Sequence, residues 1–277
     1  MREARAYESN TDMKNGLSEL ARRVAQLDAE PSNPRVVGGS CVDLSHFIRV
    51  LGQTTSTGTP RDVRALQCLS AVDADSLLGS SRLLARLAEV APEIVTGPLR
   101  LDSQYWVGTG KPSFLPGGEL TPKESAFVCM SDATSREPST KPFGVGLFTS
   151  TGVLNTHGMW RNYLDLNRGS TLHPLPWHTW AVEPHRHVRV HEITTASEWV
   201  EFVLSHPRRE HELLFPSWGS VARDHDAVHM TLRAIGATQG LYFPTEQGIV
   251  AAPYWDIEST MWLRWCFGST RLVETVT

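Results

Sequence analysis

The chain has 277 residues, of which 40% are hydrophobic and 20% are charged, and its formal net charge is −4. This is an ordinary globular composition, and the small negative charge gives no electrostatic reason to expect nucleic acid or an anionic membrane as the main partner. The sequence contains neither a run of about 18 apolar residues nor an N-terminal apolar segment of the secretory type, so we expect no membrane segment. Its four cysteines form no C-x-x-C pair, which favours free thiols and a cytoplasmic location.

The first part of the chain has the apolar spacing of helices. Intervals of three and four residues predict one amphipathic helix, through Leu17, Leu20, Ala21, Val24 and Leu27. The leucines between residues 66 and 90 predict two more helices, and Asp73 or Asp75 would cap the second of them. We therefore expect residues 1–95 to form an N-terminal helical region, which the sequence leaves open as a domain, an inhibitory segment or a wrapping around the core.

From about residue 98 the pattern changes to short strand-like runs separated by turns rich in proline and glycine. We predict strands at residues 99–101 with 105–107, 126–130, 145–148, 187–193, 227–231 and 262–267. Two helices interrupt them, at residues 158–166 and 196–204. Strands and helices mix without regular alternation, so we predict an α+β fold with a mixed or antiparallel β core in residues 96–277.

The segment of residues 141–164, KPFGVGLFTSTGVLNTHGMWRNYL, is the most informative part of the chain. It predicts a short buried strand, a hydroxyl-rich turn and then an aromatic helix. Three hydroxyl residues, Thr149, Ser150 and Thr151, stand between glycines. In the helix that follows, Trp160 and Tyr163 are three apart and share one face, where they would stack on a flat ring. The hydroxyls would then bind a ribose or an amide.

This combination resembles the mono-ADP-ribosyltransferase superfamily, in which a strand with an aromatic-x-Ser-Thr-Ser-like sequence precedes a helix that lines the nicotinamide-ribose pocket. The resemblance implies an enzyme with an ADP-ribosyltransferase type of β core, for which NAD is a substrate. It also implies that the following residues contribute to NAD binding: Phe148, Thr149, Ser150, Thr151, Trp160 and Tyr163.

The same resemblance implies a late catalytic glutamate that stabilises the ribosyl cation and holds the ribose 2′-hydroxyl. A negative charge beside a developing positive charge is what this reaction requires. Glu258, at the start of an aromatic strand among hydroxyl residues, is the first candidate, and Glu192 is the second. A first-strand Arg or His that contacts NAD has no clean equivalent here. Arg100 is the nearest cation, and Trp106 stands where the charge is expected.

Two other interpretations remain open. His185, His187 and Glu192 match the first metal motif of cupins, because alternate strand residues point the same way. The expected preceding glycine and a second motif are missing, so we predict no metal site. Alternatively, the Trp-rich second half forms the cleft of a non-enzymatic binding module, although these tryptophans are more typical of a core.

The favoured hypothesis is therefore a glycosyltransferase that consumes NAD and transfers ADP-ribose. Because NAD would be cleaved and not recycled, the hypothesis is consistent with a sequence that contains no G-x-G-x-x-G fingerprint. The acceptor is not specified by the sequence and would be a protein, a nucleic acid, a small molecule or water.

Overall fold

The computed structural model describes residues 10–29, 39–53, 66–110, 120–124, 147–251 and 255–277. The helices within these ranges are α1 (Asn10–Asp28), α2 (Gly39–Gln53), α3 (Ala71–Leu78), α4 (Arg82–Val90), α5 (Pro92–Val95), α6 (Met159–Leu166), α7 (Ala196–Ser205), α8 (Trp218–Asp224) and α9 (Leu232–Thr238). The strands are β1 (Gln104–Thr109), β2 (Leu147–Thr151), β3 (Trp177–Pro184), β4 (Val190–Ile193), β5 (Pro207–Glu210), β6 (Leu213–Pro216), β7 (Ala227–Met230), β8 (Tyr242–Thr245), β9 (Gly248–Ala251), β10 (Ser259–Trp262) and β11 (Phe267–Val276).

Two mixed sheets organise the strands. The larger sheet has seven strands in the order β11-β3-β1-β2-β10-β7-β4, and the smaller has four in the order β5-β6-β9-β8. Most neighbours are antiparallel, but β4 with β7 and β6 with β9 are parallel. The predicted α+β class with a mixed β core is therefore confirmed.

Serine side chains cap the N-termini of two of the N-terminal helices, α3 and α4. Ser70 caps α3 by accepting from the amide of Asp73, and Ser81 caps α4, the second of the two predicted helices, by accepting from the amide of Leu84, so the predicted caps Asp73 and Asp75 are wrong. Asp75 instead accepts hydrogen bonds from the amides of Ala196 and Ser197 at 2.6 and 3.0 Å, which places a carboxylate at the N-terminus of α7. A negative charge is favourable there because it meets unpaired N–H groups and the positive end of the helix dipole.

One hydrophobic core crosses the predicted boundary at residue 95. Leu20 and Phe47 from the N-terminal helices belong to the same buried cluster as Trp199 and Trp255. Arg23 on α1, 1% exposed, donates to two backbone carbonyls of the C-terminal part at 2.7 and 2.6 Å. The described helices of residues 1–95 are thus packed into the core of residues 96–277. None of the helices described is long and apolar enough to cross a membrane.

The strand boundaries differ from the predicted ones in informative ways. Thr149, Ser150 and Thr151 do not form a turn but complete β2, because each hydroxyl finds a buried partner. The predicted strand at 262–267 is two strands, since β10 ends at Trp262 and β11 begins at Phe267. The predicted strand at 126–130 lies outside the described residues.

Candidate active site

A row of hydrogen-bonded polar side chains crosses five neighbouring strands of the larger sheet. From β1 to β4 its members are Gln104, Thr151, Glu258, His229 and Glu192. The strand order β1-β2-β10-β7-β4 brings these residues side by side, although they are distant in sequence. Register pairs Gln104 with Thr151 and His229 with Glu192, while Glu258 immediately precedes β10. We call this set the polar row.

Thr151 and Glu258 form the centre of the polar row. The Thr151 amide donates to Glu258 Oε2 at 3.1 Å, and the Thr151 hydroxyl donates to Oε1 at 2.8 Å. Both side chains are fully buried. A buried carboxylate is costly unless hydrogen bonds compensate it, so the polar end of β2 supplies what Glu258 needs.

His229 lies between the two candidate glutamates. Its Nε2 is 3.1 Å from Glu258 Oε1, and its Nδ1 is 3.4 Å from Glu192 Oε2. Burial disfavours the charged imidazole, but hydrogen bonds and charge from Glu192 and Glu258 outweigh burial and raise the pKa of His229. The hydrogen bond with His229 in turn lowers the pKa of Glu192.

Both ends of the polar row meet the segment that leads into β1. At one end, the Gln104 amide donates to the backbone carbonyl of Arg100 at 2.9 Å. At the other end, the backbone amide of Leu99 donates to Glu192 Oε2, also at 2.9 Å. We call residues 97–103 the strap, because this segment contacts the row at both ends.

Gly97 and Ser103 fix the two ends of the strap. Gly97 has φ of +79°, and a Cβ at this position would lie 2.7 Å from Glu192 Oε2, so only glycine fits without displacement. Ser103 exchanges two hydrogen bonds with Gly152 just beyond β2, at 2.8 and 3.0 Å. The strap is therefore held against both β4 and β2.

The two remaining hydroxyls of β2, those of Ser150 and Thr149, make hydrogen bonds that connect neighbouring elements of the site. Ser150 donates to the backbone carbonyl of Glu258 at 3.1 Å and accepts from the Trp160 amide at 3.2 Å, which ties α6 to the sheet. Thr149 donates to Gln104 Oε1 at 2.6 Å and accepts from the Trp262 indole at 2.8 Å. Both hydroxyls are buried and have internal partners, so they organise the site from within.

Two of the predicted aromatic residues, Trp160 and Tyr163, lie on α6, and the third, Phe148, lies on β2. Trp160 and Tyr163 stack on each other, with ring centroids 5.1 Å apart and an interplanar angle of 9°. His173 packs edge-on against both rings. Phe148 meets Trp255 edge-to-face at 6.0 Å. Trp160 and Tyr163 remain partly exposed, so this pair offers an aromatic surface that a ligand could reach.

The side chain of Arg100 does not join the polar row. Its guanidinium pairs with Asp102 at 3.2 Å and with Glu93 at 3.6 Å, and about half of the side chain is exposed. The first-strand residue whose side chain joins the polar row is instead Gln104, a neutral amide. Gln104 binds both Thr149 and Thr151.

The structure does not bring together the residues of the cupin alternative. His185 and His187 are exposed and lie in or beside the turn between β3 and β4, so they have no strand alternation to align them. Glu192 is engaged by His229 and Leu99. Within the described ranges, no three His, Cys, Asp or Glu side chains form a group that could hold a metal ion.

Most of the tryptophans pack in the hydrophobic core and do not line a cleft. Five of them are at most 2% exposed: Trp177, Trp199, Trp218, Trp255 and Trp262. All five have a packing role, because one hydrophobic cluster contains Trp199, Trp218 and Trp255, a second contains Trp262 and a third contains Trp177. A Trp-lined cleft would therefore have to use the partly exposed residues Trp106, Trp160, Trp180 and Trp265.

Sequence reasoning missed two members of the polar row, His229 and Gln104. His229 stands between Val228 and Met230 in a buried strand, and an imidazole at a fully apolar position is the signal that could have identified it. Gln104 opens β1 in a buried position, which only the structure reveals.

The row can hold negative charge, fix its position and share a proton among two carboxylates and one imidazole. Glu192 is its accessible end, with a side chain 30% exposed, whereas Glu258 is 0% exposed. Comparisons with protein-family models, with curated proteins and with solved structures each gave no match to this chain.

Proposed function

We propose that this chain is a cytoplasmic, NAD-consuming enzyme with an ADP-ribosyltransferase type of β core. It cleaves the bond between nicotinamide and ribose and transfers ADP-ribose to a protein, a nucleic acid, a small molecule or water. The observation that supports the proposal is the double hydrogen bond between Thr151 and Glu258. Two short motifs, separated by more than 100 residues in sequence, meet in one buried contact.

The chemistry assigned to Glu258 is electrostatic. When the glycosidic bond breaks, its electron pair stays on the pyridinium nitrogen and gives neutral nicotinamide, while positive charge develops on the ribose. A carboxylate fixed in a site of low dielectric stabilises that charge more than it would in water. The acceptor then forms a bond to the ribose carbon and loses its proton.

The other residues organise this carboxylate. Thr151 and Ser150 hold it through its side chain and its backbone, and Ser150 also fixes the start of α6. Trp160 and Tyr163 supply the flat surface for nicotinamide. Gln104 takes the place that the resemblance gives to a first-strand cation, so the phosphates are bound by other groups.

Access to Glu258 requires movement, because its side chain is 0% exposed. The strap is the segment proposed to move, since it contacts both ends of the polar row without belonging to either sheet. Its withdrawal breaks the bonds of Leu99 and Arg100 to the row and leaves the strands intact. The proposal therefore predicts that NAD binding changes the protection of the Leu99 amide from hydrogen exchange.

The test is release of nicotinamide from NAD by the purified full chain, with and without added protein, nucleic acid and small-molecule acceptors. Glu258→Gln is expected to lower the rate about 10²- to 10³-fold, the usual loss when one preorganised electrostatic group is removed. Glu201→Gln, a change at an exposed glutamate on α7, is the matched control and retains the rate. Absence of nicotinamide release from the wild type, together with no thermal stabilisation by NAD, refutes the proposal.

A further inference from the structure

His229 has an arrangement that a neutral imidazole does not satisfy. It lies on β7, between the neighbouring strands β4 and β10, and each ring nitrogen faces a different glutamate. A neutral imidazole carries one N–H, so it can donate to only one of them and must present a lone pair to the other. Only the imidazolium donates to both carboxylates.

The surroundings of His229 favour that cation. Glu192 on β4 and Glu258 before β10 are the charged groups that act on it, and its side chain is 0% exposed. The facing residues in register on β10 and β4 are Thr260 and Glu192, and Thr260 is neutral. With a neutral imidazole, two buried or half-buried carboxylates would carry a net charge of −2, while the imidazolium reduces it to −1.

We propose that His229 is a positioning residue that, as an imidazolium donating to both glutamates, holds the Glu258 carboxylate in the orientation needed for cleavage of the glycosidic bond. This inference rests on the proposed function. His229 donates hydrogen bonds and transfers no proton to the substrate. Through its second nitrogen it also links Glu258 to Glu192, so the partly exposed glutamate helps to hold the buried one in place through the imidazole.

The charge state of His229 is tested without any substrate. Nitrogen-15 NMR of the full chain reports whether both ring nitrogens carry protons, and disappearance of the signal in His229→Gln assigns it. Both nitrogens are expected to be protonated at neutral pH, above the ordinary pKa of 6.5, and Glu192→Gln is expected to lower that pKa. Glu192 is partly exposed, so this variant keeps the test valid if His229→Gln does not fold. A neutral ring at neutral pH overturns the inference.

Steady-state kinetics test the positioning role. His229→Gln is expected to lower kcat for nicotinamide release about 10²-fold, the loss typical of a misplaced catalytic group, with little change in KM. The wild-type rate is expected to fall at alkaline pH as His229 loses its proton, and the variant lacks that decline. His187→Gln, at an exposed turn residue, is the control with wild-type kinetics.

The outcomes separate the two proposals. A variant His229→Gln with the wild-type pH profile and wild-type kcat overturns the positioning role while leaving the proposed function intact. A wild type that releases no nicotinamide overturns the proposed function and the positioning role with it. The NMR measurement still decides, in that case, whether His229 bridges the two glutamates as a cation.

Discussion

Glu258→Gln gives the sharpest physical test of the polar row, because the Glu258 side chain accepts every hydrogen bond that it makes there. Glu258 Oε1 accepts from the Thr151 hydroxyl and from His229, and Oε2 accepts from the Thr151 amide. A glutamine keeps one acceptor oxygen and replaces the other by an NH₂ group, which can only donate.

Either orientation of the new amide leaves a conflict. If the NH₂ group takes the Oε2 position, it faces the Thr151 N–H. If it takes the Oε1 position, it faces the N–H of the His229 ring. One unsatisfied buried donor costs about 1–3 kcal/mol, and removing one partner of a buried ion pair costs about 3–5 kcal/mol in all. The expected loss in free energy of unfolding is therefore about 3–5 kcal/mol.

Urea unfolding of the wild type, Glu258→Gln and the exposed control Glu201→Gln measures this loss. The control is expected to lie within about 0.5 kcal/mol of the wild type, as for most surface changes. An unchanged m-value shows that the same surface is exposed on unfolding. A loss below about 1 kcal/mol for Glu258→Gln, which is the mean effect of any substitution, would refute the account of a compensated buried carboxylate.

Three further predictions follow from the same region and from the core. The pKa of His229 is raised above 6.5, so the stability that its protonation contributes is complete below the unfolded-state pKa and is lost as pH rises through the folded-state pKa. The difference in melting temperature between the wild type and His229→Gln should therefore shrink as pH rises through the folded-state pKa. A difference that stays constant with pH contradicts this prediction. Gly97→Ala is expected to destabilise the protein more than Gly169→Ala, because both glycines have positive φ but only a Cβ at Gly97 would meet other atoms, with Glu192 Oε2 the nearest. The backbone strain of an alanine at positive φ costs about 1–2 kcal/mol in either variant. Chemical unfolding of the two variants measures the difference. Burial raises the pKa of Cys266 to about 11, so this thiol should stay unlabelled by iodoacetamide at pH 8 in the native protein, as mass spectrometry checks, and rapid native labelling would be inconsistent with its burial.

The sequence predicts individual elements of the site better than their partners. The helix at residues 158–166 is found at Met159–Leu166, because Gly158 and the aromatic spacing mark it clearly. The sequence from Thr149 to Thr151 predicts a turn, since hydroxyl residues are common in turns. It is instead a strand, because Gln104, Glu258 and Trp262 satisfy its hydroxyls. These partners are 45 to 113 positions away, beyond any local pattern.

Tertiary context also explains the strands that were missed. The small sheet uses four-residue strands such as Leu213–Pro216 and Gly248–Ala251, which are too short to show a clear alternation. All four residues of Leu213–Pro216 are buried, so the strand has no polar face to mark its period. In the same way Asp75 resembles a local helix cap but serves a helix 121 positions later.

Under the proposed function, Glu258 and Glu192, which the sequence presents as alternatives, have different roles. Glu258 is buried and held by three donors, so its position is well defined but closed to solvent. Glu192 is partly exposed and accepts from the Leu99 amide of the strap, so it is the carboxylate that would lose a hydrogen bond in the proposed movement of the strap. Because His229 contacts both glutamates, loss of the Leu99 hydrogen bond to Glu192 would also act on Glu258 through the imidazole. A strap that uncovers the site would therefore also change the electrostatics of the buried carboxylate, and the two events need not be separate steps.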